Sequence, residues 1–153
     1  MTSPVLLCTD GSQHSTAALA AGLELLASDT PLIVVSVMAE PDPTLVTGTG
    51  MAGGVMSADA FDEMEADAAT EADQLVTSTR AELGIDHAEV KVLQGEPAAA
   101  ICKLADEIDA GAIVIGTRGR GGIKRAVLGS VSDHVVRNAP CTVIITGPKG
   151  TDD

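Results

Sequence analysis

Short apolar runs without polar alternation recur along this chain: PVLLCT at residues 4–9, LIVVSVM at 32–38, AIVI at 112–115 and CTVIIT at 141–146. A strand with one wet face alternates apolar and polar residues, whereas a strand covered on both faces does not. A further run at 88–93 alternates and then turns apolar. Between these runs the apolar residues recur at helical spacing. Strand–helix–strand repeats of this kind pair in parallel through right-handed crossovers, because consecutive parallel strands need a long connection. The expected fold is therefore α/β: a three-layer sandwich with a five-stranded parallel sheet and helices on both faces. Composition agrees. The 153 residues are 45% hydrophobic, rich in Ala, Val, Ile and Leu, with a single Phe and no Trp or Tyr. One domain is expected over residues 1–147, with a polar tail over 148–153.

The helices follow from the punctuation. Residues 15–27 carry Ala and Leu at helical spacing, with Ser12 or Ser15 as N-cap and Pro31 as the stop. Residues 39–57 hold two prolines and four glycines without periodicity and read as a long loop. A long helix is predicted over 59–83, with Phe61, Met64, Ala68, Ala72, Leu75 and Leu83 on one face and a heavily acidic opposite face. Those carboxylates spread along the helix rather than converging, so they read as a solvated surface. Gly95-Glu96-Pro97 introduces a helix over 98–108 that Gly111 stops, and residues 130–138 form the last helix before Pro140.

In parallel sheets of this type, ligands bind beyond the C-terminal strand ends. Asp10, Val37 and Gly116 all fall there. After Gly116 the chain runs TRGRGGIKRAVLGS, a basic glycine loop leading to a helix start, with no acidic residue between Asp109 and Asp133. Glycines allow close backbone approach, and the first amides of a helix are unpaired, so strand, basic loop and helix start together make a place for phosphate. Arg118 and Arg120 suit an anion in a chain of formal net charge −13. Lys124 and Arg125 suit either the same anion or acidic surface on another subunit. That overall acidity disfavours nucleic acid. Taken singly, Gly116 is a strand-ending turn, Ser130 an N-cap and Asp10 a helix-starting residue. The loop fits neither a Walker A motif, because Gly122 follows Gly121 where Lys is required, nor a dinucleotide fingerprint.

What is present is Gly116-x2-Gly119-x9-Gly129-Ser130, which resembles the nucleotide-binding signature of the ATP-binding branch of the universal stress protein family. The resemblance spans nearly the whole chain. Thr9-Asp10-Gly11-Ser12 is similar to that family's first turn, Ser36-Val37-Met38 to its adenine-contact region, and Gly95-Glu96-Pro97 to its turn before the third helix. Gly129-Ser130-Val131-Ser132 and Asn138-Ala139-Pro140-Cys141-Thr142-Val143 match its last helix and strand. The resemblance implies strand order 3-2-1-4-5 and ATP, or AMP or cyclic AMP, in the crevice with Mg or Mn. It implies Thr9 and Asp10 beside ribose and phosphates, with Asp10 reaching the metal indirectly through the nucleotide. Val37 would present its backbone to adenine. Gly116, Arg118, Gly119 and Arg120 would approach ribose and phosphate, and Gly129, Ser130, Val131 and Ser132 the phosphate chain. A homodimer through the last strand, from Cys141 to Thr146, and a protein client are also implied.

No motif supplies a phosphoryl acceptor, and Cys8-Thr9-Asp10-Gly11-Ser12 does not meet the SGGxDS signature of ATP pyrophosphatases. A nucleotide-dependent regulator of the stress response is therefore preferred, with slow ATP hydrolysis or autophosphorylation as the enzymatic alternative and an AMP or cyclic AMP sensor as another. Cys8, Cys102 and Cys141 lack CxxC spacing and read as reduced, buried thiols. His14, His87 and His134 do not cluster. No signal peptide and no apolar stretch of membrane-spanning length are recognisable, so no membrane insertion and a cytoplasmic location are expected.

Overall fold

The computed structural model describes residues 2–47, 55–117 and 128–147. Its strands are β1 (Val5–Cys8), β2 (Leu32–Met38), β3 (Glu89–Gln94), β4 (Ala112–Gly116) and β5 (Thr142–Thr146). All neighbours pair in parallel in the order β3-β2-β1-β4-β5, as expected. The helices are α1 (Gln13–Leu23), α2 (Thr44–Thr47), α3 (Ala58–Glu82), α4 (Pro97–Glu107) and α5 (Ser130–Asn138).

Successive strand residues point to opposite faces, so each buried strand feeds two cores. Leu6, Cys8, Ile33, Val35 and Ile113 pack with Ile101 and Leu104 of α4 and Val135 of α5. Val5, Leu7, Leu32, Val34 and Val114 pack on the other side with Leu19 of α1 and Val76 of α3. Each fully buried Leu or Val contributes roughly 1.5–3 kcal/mol relative to exposure. This explains why the strands are unbroken apolar runs.

Several helix boundaries differ from expectation. The Ser12 hydroxyl accepts from the Ser15 amide at 3.1 Å and caps α1, but the helix ends at Leu23, well short of residue 27. Tighter turns take over there, with the Leu25 amide on the Gly22 carbonyl and the Leu26 amide on the Leu23 carbonyl, and Leu25 faces solvent. Residues 39–57 are not all loop, because α2 interrupts them. The Asp42 carboxylate starts it by accepting from the Thr44 amide and hydroxyl. Gly111 does not stop α4. The stop is Asp109, in the left-handed region at φ 51°, with the Ala110 amide bonded back to the Ala105 carbonyl at 2.9 Å.

The Glu96 side chain accepts from the amides of Ala98 and Ala99, capping α4. The Ala99 amide above all, opposed by desolvation and helped to a lesser degree by the Ala98 amide and the more distant His134, holds this carboxyl below its usual range. Its contribution is thus present above the ordinary glutamate range and is lost as pH falls through the lowered value. A Glu96→Ala variant is expected to melt below the parent at neutral pH, the difference shrinking on acidification in thermal scans.

α3 is much longer than the strand it precedes. Its 25 residues span about 37 Å, whereas the six residues of β3 span about 20 Å. It runs antiparallel to the strands, and its buried residues are Ala72, Val76 and Thr79, all in the C-terminal half. The N-terminal half therefore overhangs the C-terminal edge of the sheet, with α2 packed beside it. Of the expected inner face, Ala72 is buried and Leu75 and Leu83 pack against the core, whereas Met64 is 36% exposed and Phe61 half-buried; Val76 and Thr79 are buried as well.

All three cysteines are free. Burial, with smaller effects of Cys102 and Cys141, pushes the Cys8 thiol up to about 12, and burial also raises the other two. The thiolate is the reactive form. In native protein at pH 8, iodoacetamide is expected to spare Cys8 and to modify Cys102 and Cys141 slowly. Denaturant should open all three, as mass spectrometry would read; early loss of the Cys8 thiol would contradict this packing.

Candidate functional site

β1 lies between β2 and β4, with Cys8 level with Val35 on one side and Ile115 on the other. The next residues out, Thr9 and Asp10, therefore run beside Ser36 and Val37 on β2 and beside Gly116, the last residue of β4, and Thr117. Strand order reverses between β1 and β4, and that reversal opens the crevice of a parallel sheet. The fold thus brings Asp10, Val37 and Gly116 to one edge.

The turn after β1 is tightly wired. The Thr9 amide continues the ladder by donating to the Val35 carbonyl at 2.9 Å. The Thr9 hydroxyl accepts from the Gly11 amide at 3.0 Å and from the Ser15 hydroxyl at 3.2 Å. Asp10 accepts from the Ser12 amide at 2.9 Å. Gly11 has φ 82°, a left-handed conformation that suits glycine, and a Cβ there would meet Leu75 Cδ1 at 2.6 Å. Thr9 and Ser15 are buried, and Asp10 is half-buried. Val37 is half-buried on the next strand, where the Gly95 amide donates to the Met38 carbonyl at 3.0 Å.

The second wall is the junction of β4 and α5. The Gly129 amide donates to the Thr117 carbonyl at 2.8 Å, so the two ends of the intervening loop meet. The Ser132 hydroxyl turns inward onto the Gly129 carbonyl at 3.0 Å, and Ser132 is buried. The N-cap of α5 is Gly129, with no side-chain cap, and Ser130 is the first helical residue rather than the cap expected of it taken singly. The first intrahelical bond runs from the Asp133 amide to the Gly129 carbonyl at 2.9 Å. The amides of Ser130, Val131 and Ser132 precede it, at the positive end of the helix dipole. The two helix starts at this edge therefore differ: Ser12 caps α1, and no described side chain caps α5.

Arg118, Gly119 and Arg120, with Lys124 and Arg125, lie outside the described residues. Two residues that matter here were not among the sequence-derived candidates. Thr117 ties the loop shut through its carbonyl, which no side-chain pattern signals. The sequence offers Ser15 only as a possible cap, whereas the fold places it in the first turn of α1 with its hydroxyl on Thr9. Among the described residues, no group of three His, Cys, Asp or Glu side chains is placed to hold a metal, and Asp10 places one half-buried carboxylate at this strand edge. No described helix is long and apolar enough to cross a membrane.

The model of the universal stress protein family matches residues 1–147. The chain is 34% identical to the Thermus aquaticus "universal stress protein in QAH/OAS sulfhydrylase 3'region", over 95% of this chain and 98% of that one. The match to the universal stress protein E homolog of Haemophilus influenzae is 35% identical over 48% of this chain, and takes in only 24% of that protein's length. Among solved structures, universal stress protein UspA from Lactobacillus plantarum superposes with a TM-score of 0.73 at 20% identity, over 94% of this chain and 97% of that one. A universal stress protein in complex with cAMP gives a TM-score of 0.58 at 26% identity, over 96% and 98%. One from Archaeoglobus fulgidus in complex with dAMP gives 0.55 at 25% identity, over 94% and 97%. A crevice at the strand reversal, walled by an acidic turn and an uncapped helix start, thus sits in a chain matched from end to end of its fold: it belongs to the universal stress protein family.

Proposed function

We propose that this protein binds ATP in the crevice between the Asp10 turn and the start of α5, and acts in the cytoplasm as a nucleotide-dependent regulator in the stress response. The observation that carries this reading is the hydrogen bond from the Gly129 amide to the Thr117 carbonyl, which holds an uncapped helix start beside the strand reversal. Free amides at that place suit a phosphate chain. Two relatives whose structures contain adenine nucleotides support the choice of base.

In this reading the Val37 backbone meets the adenine edge, and the aliphatic wall holds the base without aromatic rings. Asp10 lies beside ribose and phosphates and orients a Mg or Mn ion that arrives with them. Gly116 and Gly119 let backbone approach the sugar and phosphates, while Arg118 and Arg120 offset their charge. The amides of Ser130, Val131 and Ser132 take the phosphate chain, while Gly129, its own amide held by the Thr117 carbonyl, leaves room for the phosphates to approach. The Thr9 and Ser132 hydroxyls, already engaged within the protein, shape the walls, and Ser132 contributes through its backbone amide. β5, at the edge of the sheet, offers the pairing surface for a homodimer, and a nucleotide-dependent change at the crevice is what a client protein reads.

Titration calorimetry with ATP, AMP and cyclic AMP tests this directly. ATP is expected to bind most tightly, with an affinity that rises when Mg is present. The cAMP-bound relative favours a second reading, a cyclic nucleotide sensor, for which cyclic AMP would outcompete ATP. Heat traces flat for all three nucleotides would refute both.

A further inference from the structure

Resting on the nucleotide reading above, the geometry points to Ser15 as a positioning residue for Asp10, acting through Thr9 to set the magnesium dependence of triphosphate binding. Ser15 lies on α1, is 5% exposed, and belongs to no helix cap of its own. Its hydroxyl donates to the Thr9 hydroxyl oxygen at 3.2 Å, inside the protein. That same oxygen accepts the Gly11 amide at 3.0 Å. Gly11 is the residue whose left-handed φ of 82° turns the chain out of β1. Directly before it, Asp10 accepts the Ser12 amide at 2.9 Å, and Ser12 in turn caps the Ser15 amide at 3.1 Å. The contacts run from the Ser15 hydroxyl to Thr9, Gly11, Asp10 and Ser12, and return to the Ser15 backbone.

This loop of contacts fixes the direction in which the Asp10 carboxylate leaves the sheet. A buried hydroxyl oxygen holding two donors has little freedom to rotate. Removing the Ser15 hydroxyl frees the Thr9 side chain to turn, which releases the Gly11 amide and loosens the Asp10 turn. The core is left intact, because Ser15 and Ala differ by one oxygen. The contact nearest the nucleotide that depends on this turn is the carboxylate beside the phosphate-bound ion. The adenine wall at Val37 belongs to another strand.

The test measures ATP affinity with Mg and with EDTA, and takes the ratio of the two as readout. Asp10→Asn is expected to remove most of the magnesium enhancement. Ser15→Ala should reduce that enhancement about fivefold, the equivalent of one buried hydrogen bond, while metal-free ATP binding stays within about twofold. Ser15→Thr, which keeps the hydroxyl, should restore the ratio, and Thr9→Val should lower it as Ser15→Ala does. The double variant Asp10→Asn with Ser15→Ala should be no worse than Asp10→Asn alone. A magnesium ratio unchanged in Ser15→Ala, or independent losses in the double variant, would overturn the assignment although the parent binds ATP. A parent protein that binds no ATP would instead remove the nucleotide reading and this inference with it. Circular dichroism melts of each variant separate a loss of fold from a loss of positioning.

Discussion

Gly129→Val is expected to fold and to lose ATP, by at least about 100-fold in affinity, or about 2.7 kcal/mol. Gly129 sits at φ −63° and ψ 162°, extended backbone that a β-branched residue adopts readily. Valine is the poorer N-cap, so the helix loses about 1 kcal/mol. The branched side chain, however, stands beside the amides of Ser130, Val131 and Ser132, where the phosphates must approach. Gly129→Asp makes a sharper pair with it. Its carboxylate caps α5 and complements the helix dipole, raising the melting temperature, yet fills the place of the phosphate with a like charge. Stability and binding should therefore move in opposite directions in the aspartate variant. Calorimetry alongside thermal melts reads both, and ATP affinity undiminished in folded Gly129→Val would remove phosphate from this helix start.

The second large effect lies away from the crevice. A Cβ built on Gly22 of α1 would overlap Val114 Cγ1, with Thr146 Cγ2 at 3.5 Å behind it. Val114 is fully buried in the central sheet and has no space to retreat. Overpacking of this kind costs about 1–3 kcal/mol, against a gain of at most about 1 kcal/mol from replacing glycine within a helix. Gly22→Ala should therefore be destabilised despite its better helix propensity, and Gly22→Val more so. Each kcal/mol lowers the melting temperature by about 2–4 °C in a chain of this size. The Thr146 hydroxyl bonded to the Ala18 carbonyl at 2.7 Å ties β5 to the same helix, so a displaced α1 also loosens the sheet edge. A melting temperature that rises in Gly22→Ala would show that the helix stands farther from β4 than described.

The sheet was legible because burial on both faces leaves a strand no polar positions. LIVVSVM and AIVI can be read in few other ways, and the observed order agrees with the family resemblance. The helix ends were less legible because they are set by partners distant in sequence or by single turns. Leu25 and Leu26 continue the apolar spacing of α1, yet the chain must turn there to enter β2. α2 has four residues, too few for any period, and arises from the turn chemistry of Asp42 and Thr44. On α3, the spacing from Phe61 to Leu83 was visible, and Ala72, Leu75 and Leu83 do turn toward the core. The most buried positions beside Ala72 are Val76 and Thr79, and a threonine is readily missed as core although its hydroxyl is satisfied by the Leu75 carbonyl at 2.9 Å.

At the crevice, strand-end residues could be placed from sequence because a parallel sheet puts all its C-terminal ends on one edge. What sequence did not disclose was the division between backbone and side chain. Ser130, Ser132 and Thr9 look alike as hydroxyl residues near a helix start. In the fold, Ser130 faces solvent, Ser132 turns onto a carbonyl, and Thr9 is locked beneath Gly11.

The overhang of α3 gives one continuous helix two different regimes of amide exchange. From Ala72 onward its hydrogen bonds open only when the sheet does, at a free energy near that of global unfolding. Upstream, where the helix leans on four residues of α2, opening needs only local fraying. Deuterium should therefore enter as a gradient along a single rod, fastest at the end that projects past the C-terminal edge of the sheet.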